Sequence, residues 1–238
     1  MSEFCGISAE SFVFMRNLKA NNNRLWFQKH RYQWEAAKDE LKSLCRQLTS
    51  FINDLDPELE TEPKTGRTLG RINRDIRFSA DKRPYRESVD LLFFNKSYGR
   101  TKAPGLAVGI TPTDSYIGTW LGATMKDWRQ RLIANISAHR EAFQDYLEQN
   151  DNFSDLNLRS ESYKKTQIKN LPVPADQWAQ RKYYYMALLL PADKVVSLGA
   201  GLTETIEETF IRLYPLYLFA TSQKLAPDLE RFRRKFEH

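Results

Sequence analysis

Cysteine is scarce in this chain of 238 residues: only Cys5 and Cys45 occur, and they form no close pair. Two separated thiols cannot build a disulfide scaffold or a CxxC-type metal or redox motif, and a reducing compartment suits them best. Histidine is equally sparse. His30, His139 and His238 stand in no zinc-ligand spacing with one another or with the cysteines, so no metal centre is expected. Long apolar runs are missing as well: nowhere do about 18 consecutive apolar residues occur, so no membrane-spanning helix is expected. Met1 to Ile7 carry the acidic Glu3 in place of a basic and then apolar leader, and a cytoplasmic location is the expectation. Gly66 and Gly70, near Lys64, are not followed by the Lys-Ser/Thr pair of a P-loop, and neither a G-x-S-x-G elbow nor an H-E-x-x-H helix is present. These gaps leave open enzymes built from Asp, Arg and Tyr, and no pattern identifies a cofactor. With no repeat, low-complexity tract or Gly/Ser linker, residues 1–238 are expected to form a single domain, ending in a partly free charged tail over 224–238.

What is present is an ordinary globular composition, 41% hydrophobic and 13% aromatic, which at this length can bury a sizeable core. Phe12, Met15 and Leu18 fall at helical spacing and stop at the capping-prone run Asn21, Asn22, Asn23. A longer helix follows, with an apolar stripe through Trp34, Ala37, Leu41, Leu44, Cys45, Leu48, Phe51, Ile52 and Leu55, until Pro57 stops it. On that stripe Cys45 reads as a small core residue and not a nucleophile. Ser88–Asn95, Leu106–Thr111 and Tyr116–Leu121 read as strands, the last two joined in a hairpin at Pro112–Ser115. A helix starting at Thr124–Asp127 would carry Trp128, Leu132, Ile136, Phe143 and either Tyr146 or Leu147 on one face, before a loop over Asn150–Ser154. The basic stretch Tyr163–Lys182, with Pro172 and Pro174, favours an extended surface path. Tyr184–Leu190 reads as a buried strand, and Pro191 opens a helical region whose last helix, over 203–222, should be kinked by Pro215. The expected fold class is α+β: a small, mainly antiparallel sheet packed against several helices, including a long N-terminal helix.

The formal net charge of +6 is concentrated in one place. Between Arg67 and Arg86 stand seven basic residues and two acidic ones, a local excess that draws anionic partners. By composition the same run also reads as a solvated basic loop. Extended backbone would put Arg71, Asn73, Asp75 and Arg77 on one face and Ile72, Arg74, Ile76 and Phe78 on the other. A helical turn would instead group Arg71, Arg74 and Asp75 with Phe78. Either geometry keeps Asp75 beside an arginine, whose planar fork suits a carboxylate or a phosphate.

The pattern R-I-x-R-D-x-R-F-S-x-D-K-x-P-Y over Arg71–Tyr85, with Asn22-Asn23-Arg24-Leu25-Trp26-Phe27 upstream, resembles a widespread family of conserved hypothetical proteins, domain of unknown function 2461. The likeness extends over most of the chain. It implies a single α+β domain with the motif between its first long helix and its sheet, and it implies no activity. The sequence departs from the pattern at Asn73, where an aromatic is common, at Leu25, where an acidic residue is, and at Arg86, where lysine is usual.

Three readings of these residues stand side by side. In the favoured one, Arg71, Arg74, Arg77 and Lys82, joined by Arg24, bind an anion, either a phosphate-bearing ligand or a nucleic-acid backbone. The second basic stretch, Arg159–Lys182, supports it through Tyr163 and Trp178 as surfaces for base stacking. In the structural reading of an interaction protein, Asp75 and Asp81 pair with neighbouring arginines while Trp26, Phe27, Phe78 and Tyr85 are core. In the hydrolase-like reading, Asp75 or Asp81 is the acid or base, Tyr85 orients a substrate and arginines stabilise developing negative charge. A carboxylate flanked by arginines should have a lowered pKa, which favours pairing over general-base work at neutral pH.

Overall fold

The computed structural model describes residues 4–165, 171–173 and 175–236, so Met1–Glu3, residues 166–170, Pro174 and residues 237–238 lie outside it. Helix α1 (Ala9–Ala20) is capped by Ser8, whose hydroxyl accepts from the Ser11 amide, and buries Phe12, Phe14, Met15 and Leu18. The Asn run that ends α1 also starts a helix that periodicity does not reveal: the Asn23 side chain accepts from the Trp26 amide and caps α2 (Arg24–Lys29). The long helix α3 (Arg31–Leu55) buries Trp34, Ala37, Leu41, Leu44, Cys45, Leu48, Ile52 and Leu55, and the chain turns extended at Asp56. Burial pushes the Cys45 thiol up to about 12, so it stays a protonated packing group.

Five strands, β1 (Val89–Phe94), β2 (Gly105–Ile110), β3 (Asp114–Leu121), β4 (Asn157–Ser162) and β5 (Arg181–Pro191), form an antiparallel sheet in the order β1-β2-β3-β5-β4. The fold class is α+β. Among the described residues no helix is long and apolar enough to cross a membrane. By compactness the chain divides into two units, residues 1–93 with 107–117 and 189–207, and residues 94–106 with 118–188 and 208–238.

In the first unit α1 packs on α3 and on α7 (Ala192–Leu198). The short segment Thr68–Gly70 lies along β1: the Gly70 amide donates to the Asp90 carbonyl at 2.7 Å, and the Leu92 amide to the Thr68 carbonyl at 2.9 Å.

The second unit is built on aromatic contacts. Phe143 of α5 (Arg140–Gln149) meets Trp178 of α6 (Ala175–Ala179) and Phe219 of α8 (Leu202–Thr221) edge-on, at 5.6 and 4.8 Å between centroids. The Asn135 amide of α4 (Lys126–Ala138) donates to the carbonyls of Phe219 and Ser222. The expected single helix from Thr124 is thus two, divided at His139, and its first residue follows Met125 with no side-chain cap. The charged C-terminal segment, read as a partly free tail, forms α9 (Leu225–Phe236) and buries Leu225, Leu229 and Phe232.

Two strands differ from expectation for one reason, the exposure of their faces. β4 was not anticipated because its residues are nearly all exposed and polar, leaving no alternation to detect. β5, expected to be buried, alternates: Tyr184 and Met186 are buried and Tyr185 is exposed. The expected extended path before it gives way to α6, with residues 166–170 and Pro174 outside the described residues.

Candidate functional site

The Arg-rich segment is a loop closed by a short antiparallel pairing. The Arg74 amide donates to the Pro84 carbonyl and the Arg86 amide to the Ile72 carbonyl, each at 2.8 Å, with Asn73 and Tyr85 facing each other between them. Ile72 is buried and its neighbours Arg71 and Asn73 are exposed, the alternation that extended backbone imposes. Past Arg74 the chain leaves this pairing and forms turns through Arg83.

The upstream motif holds the loop from the other side. Tyr85 turns its remaining backbone groups to Asn22: the Asn22 Nδ2 donates to the Tyr85 carbonyl and the Tyr85 amide donates to Asn22 Oδ1, each at 3.0 Å. A primary carboxamide offers one donor and one acceptor side by side, so it substitutes for a neighbouring peptide group. The Phe27 ring then stacks on the Tyr85 ring at 4.1 Å and 17°. Two sequence elements 63 residues apart therefore meet at one residue.

Within the loop the same device occurs twice. Asp75 accepts from the Arg77 backbone amide at 3.2 Å, from its Nε at 3.0 Å and from its Nη2 at 2.7 Å. Asp81 accepts from the corresponding groups of Arg83 at 3.0, 3.0 and 2.7 Å. In each Asp-x-Arg unit the carboxylate closes a turn on the backbone two residues ahead and holds the guanidinium of that residue. Asp81 also accepts from Arg74 Nη1 at 2.6 Å, and Arg74 reaches the Arg83 carbonyl at 3.2 Å. Arg83 continues to the Glu87 carboxylate, and Arg67 pairs with Glu60 and Glu62.

These bonds set the electrostatics. Hydrogen bonds from Arg77 lower the Asp75 carboxyl to about 2. Those from Arg83, with help from Arg74, hold Asp81 well below the usual carboxylate range. Both carboxylates are ionised and occupied at neutral pH, which is the chemistry of a pairing group and not of a general base. Tyr85 is buried against Phe27; burial raises its phenol above the ordinary value, opposed by the charges of Arg24 and Arg31. Among the described residues no cluster of His, Cys, Asp and Glu is placed to hold a metal ion.

The structure thereby divides the cations expected to bind an anion. Arg74 and Arg77 are held by carboxylates. Arg24, Arg71 and Lys82 have no carboxylate partner among the described residues, and neither does Arg86; Lys82 instead donates to the Ile76 carbonyl at 3.1 Å. Arg31 at Tyr85 and Glu87 at Arg83 were not anticipated, because neither belongs to the motif and only folding brings them to it. Trp26, Phe27 and Tyr85 pack, with Trp26 stacked on His30 at 4.0 Å. Phe78 does not pack: it is 96% exposed at the loop, with the Arg77 guanidinium 5.8 Å from its ring centroid. In the second basic stretch Trp178 is buried and so offers no stacking surface.

None of the curated proteins matches the chain. Residues 10–219 match the family described as Conserved hypothetical protein (DUF2461). Both elements that meet at Tyr85 lie inside that span, and the chain belongs to the DUF2461 family of conserved hypothetical proteins.

Proposed function

We propose that the protein binds a phosphate-bearing anion, a small ligand or a nucleic-acid backbone, at the Arg-rich loop. One observation carries this reading: within a motif whose other arginines are each matched to a carboxylate, Arg24, Arg71, Lys82 and Arg86 are left without one among the described residues. The unmatched charges are the binding groups, and the matched arginines are the frame that presents them. Arg77 belongs to both sets. Its Nε and Nη2 face Asp75, while the Nη1 edge of the fork is available for a phosphate oxygen. Exposed ion pairs contribute little to stability one at a time, but an Asp-x-Arg turn also fixes where the guanidinium points. A reducing, cytoplasmic setting is part of the same proposal, in keeping with the scarcity of cysteine in the chain.

Retention on heparin tests it. The full chain should be retained at low salt and released steeply as salt rises. Each of Arg24→Gln, Arg71→Gln, Lys82→Gln and Arg86→Gln should flatten the salt dependence by about one phosphate contact. The competing reading, a network that only holds the loop in an interaction protein, is favoured by Asp81, which ties both Arg74 and Arg83. It requires that the four glutamine variants elute like the parent chain, and that outcome, or salt-insensitive retention, defeats the proposal.

A further inference from the structure

Strand β5 sends its tyrosines to opposite sides. Tyr184 is buried, Tyr185 is 48% exposed, and Tyr183 lies half-buried on the Tyr185 side. Residues directly opposite each other in an antiparallel pair share a face. Arg159 stands opposite Tyr185 and Glu161 opposite Tyr183, so all four side chains belong to one surface of the β4–β5 pair. With Ala123, just beyond β3, Arg159, Tyr183 and Tyr185 line a cavity of about 340 Å³. That lies at the lower end of the volumes found for small-molecule sites.

The chemistry of this corner is selective. The two rings are 5.6 Å apart and inclined at 65°, so a flat ligand lying on one ring meets the edge of the other, an arrangement aromatic rings favour. Glu161 is matched by Lys182 at 3.2 Å. Arg159 has no carboxylate partner among the described residues, while the Tyr183 hydroxyl is hydrogen-bonded to Glu161. The pocket therefore combines two aromatic faces with one uncompensated guanidinium. A planar ring attached to a phosphate uses all of them.

We propose that the corner formed by Tyr183, Tyr185 and Arg159 binds a nucleobase together with its attached phosphate, the base stacked on tyrosine and the phosphate held by Arg159. The same chemistry is presented by a free mononucleotide and by one unit of a single strand. The site shares no residue with the Arg-rich loop and does not rest on the reading given for it.

The test is a titration of the full chain with uridine monophosphate and, separately, with a short oligouridylate at low salt. At least one should bind. Tyr185→Ala should weaken that binding about tenfold or more. Tyr185→Phe, which keeps the ring, should leave it unchanged, and Arg159→Gln should weaken it and reduce its salt dependence. Binding of both probes with this pattern identifies a mononucleotide site, and binding of the oligomer alone identifies a stacking platform for a strand. Absence of binding by either probe overturns the proposal, as does binding that Tyr185→Ala and Arg159→Gln leave unaltered. The pocket is read from the part of the binding that Tyr185→Ala and Arg159→Gln remove, and the loop from the heparin retention of its own glutamine variants, so failure at the loop and failure at this pocket read out separately.

Discussion

Arg83 and Arg181 both sit in basic stretches of the sequence, and each is accommodated by different means. Arg83 is surrounded by carboxylates, Asp81 and Glu87, and stays at the surface. Arg181 is half-buried, with its guanidinium 5.0 Å from the Trp178 ring centroid and donating to the Ser160 hydroxyl. Desolvation by burial lowers its pKa. Its neighbours behave alike: the Tyr163 ring takes Arg129 at 4.9 Å and Lys182 at 5.8 Å. Local structure explains the contrast. In the loop, where Asp75 and Asp81 each precede an arginine by two residues, a turn closes and the charge is met by charge; in helix α4 the same spacing, Asp127 and Arg129, closes no such turn and Arg129 lies over Tyr163. Where aromatic residues flank the cations, a ring face meets them instead, and a ring is also packing material. The first region should therefore respond to acid and salt, the second to truncation of its rings.

The largest effect should come from Trp178→Ala. This side chain is buried, meets Phe143 at 5.6 Å and Tyr184 at 5.5 Å, and covers Arg181. Its loss should cost about 3–5 kcal/mol in denaturant unfolding, and a cost no greater than that of a surface substitution would break the comparison. Next comes Asn22→Ala, which strips both partners from the backbone of Tyr85. It should destabilise by roughly 1–3 kcal/mol and speed hydrogen exchange at Tyr85, and a variant as stable as the parent would show that the clamp is dispensable. The smallest effect is the most specific. Asp75 titrates at about 2 in the folded chain, lowered by Arg77, against about 3.9 for an unfolded aspartate. A folded pKa below the unfolded one gives stability that is complete above the unfolded value and fades as pH falls towards about 2. Between about pH 4 and pH 2 the parent should thus lose stability more steeply than Asp75→Asn, while near neutrality the two differ little because the pair is exposed. Parallel acid slopes would sharpen the case against any energetic role for the turn.

The stripe of α3 and the short repeat of α1 are legible in the sequence because burial on one face writes a period into it. α2 is too short for that, and β4 is exposed on both faces, so neither leaves a pattern. The pairing of Asp75 with an arginine is legible because either backbone geometry open to the segment keeps one beside it. Which cations remain uncompensated is not, since the answer depends on Glu60, Glu62 and Glu87 reaching in from outside the motif. The meeting of Asn22 with Tyr85 is invisible for the same reason: the residue types are ordinary, and only the folded chain makes them adjacent.

Thr68, Leu69 and Gly70 occupy the border of the sheet at β1, where their hydrogen bonds to Asp90 and Leu92 take up backbone groups. An open border of that kind is a template on which a second chain can lay a strand of its own. A truncation that begins after Gly70 would therefore do more than remove the N-terminal helices. It would uncover a growth point for aggregation, so the approach to the Arg-rich loop also acts as a guard against self-templating.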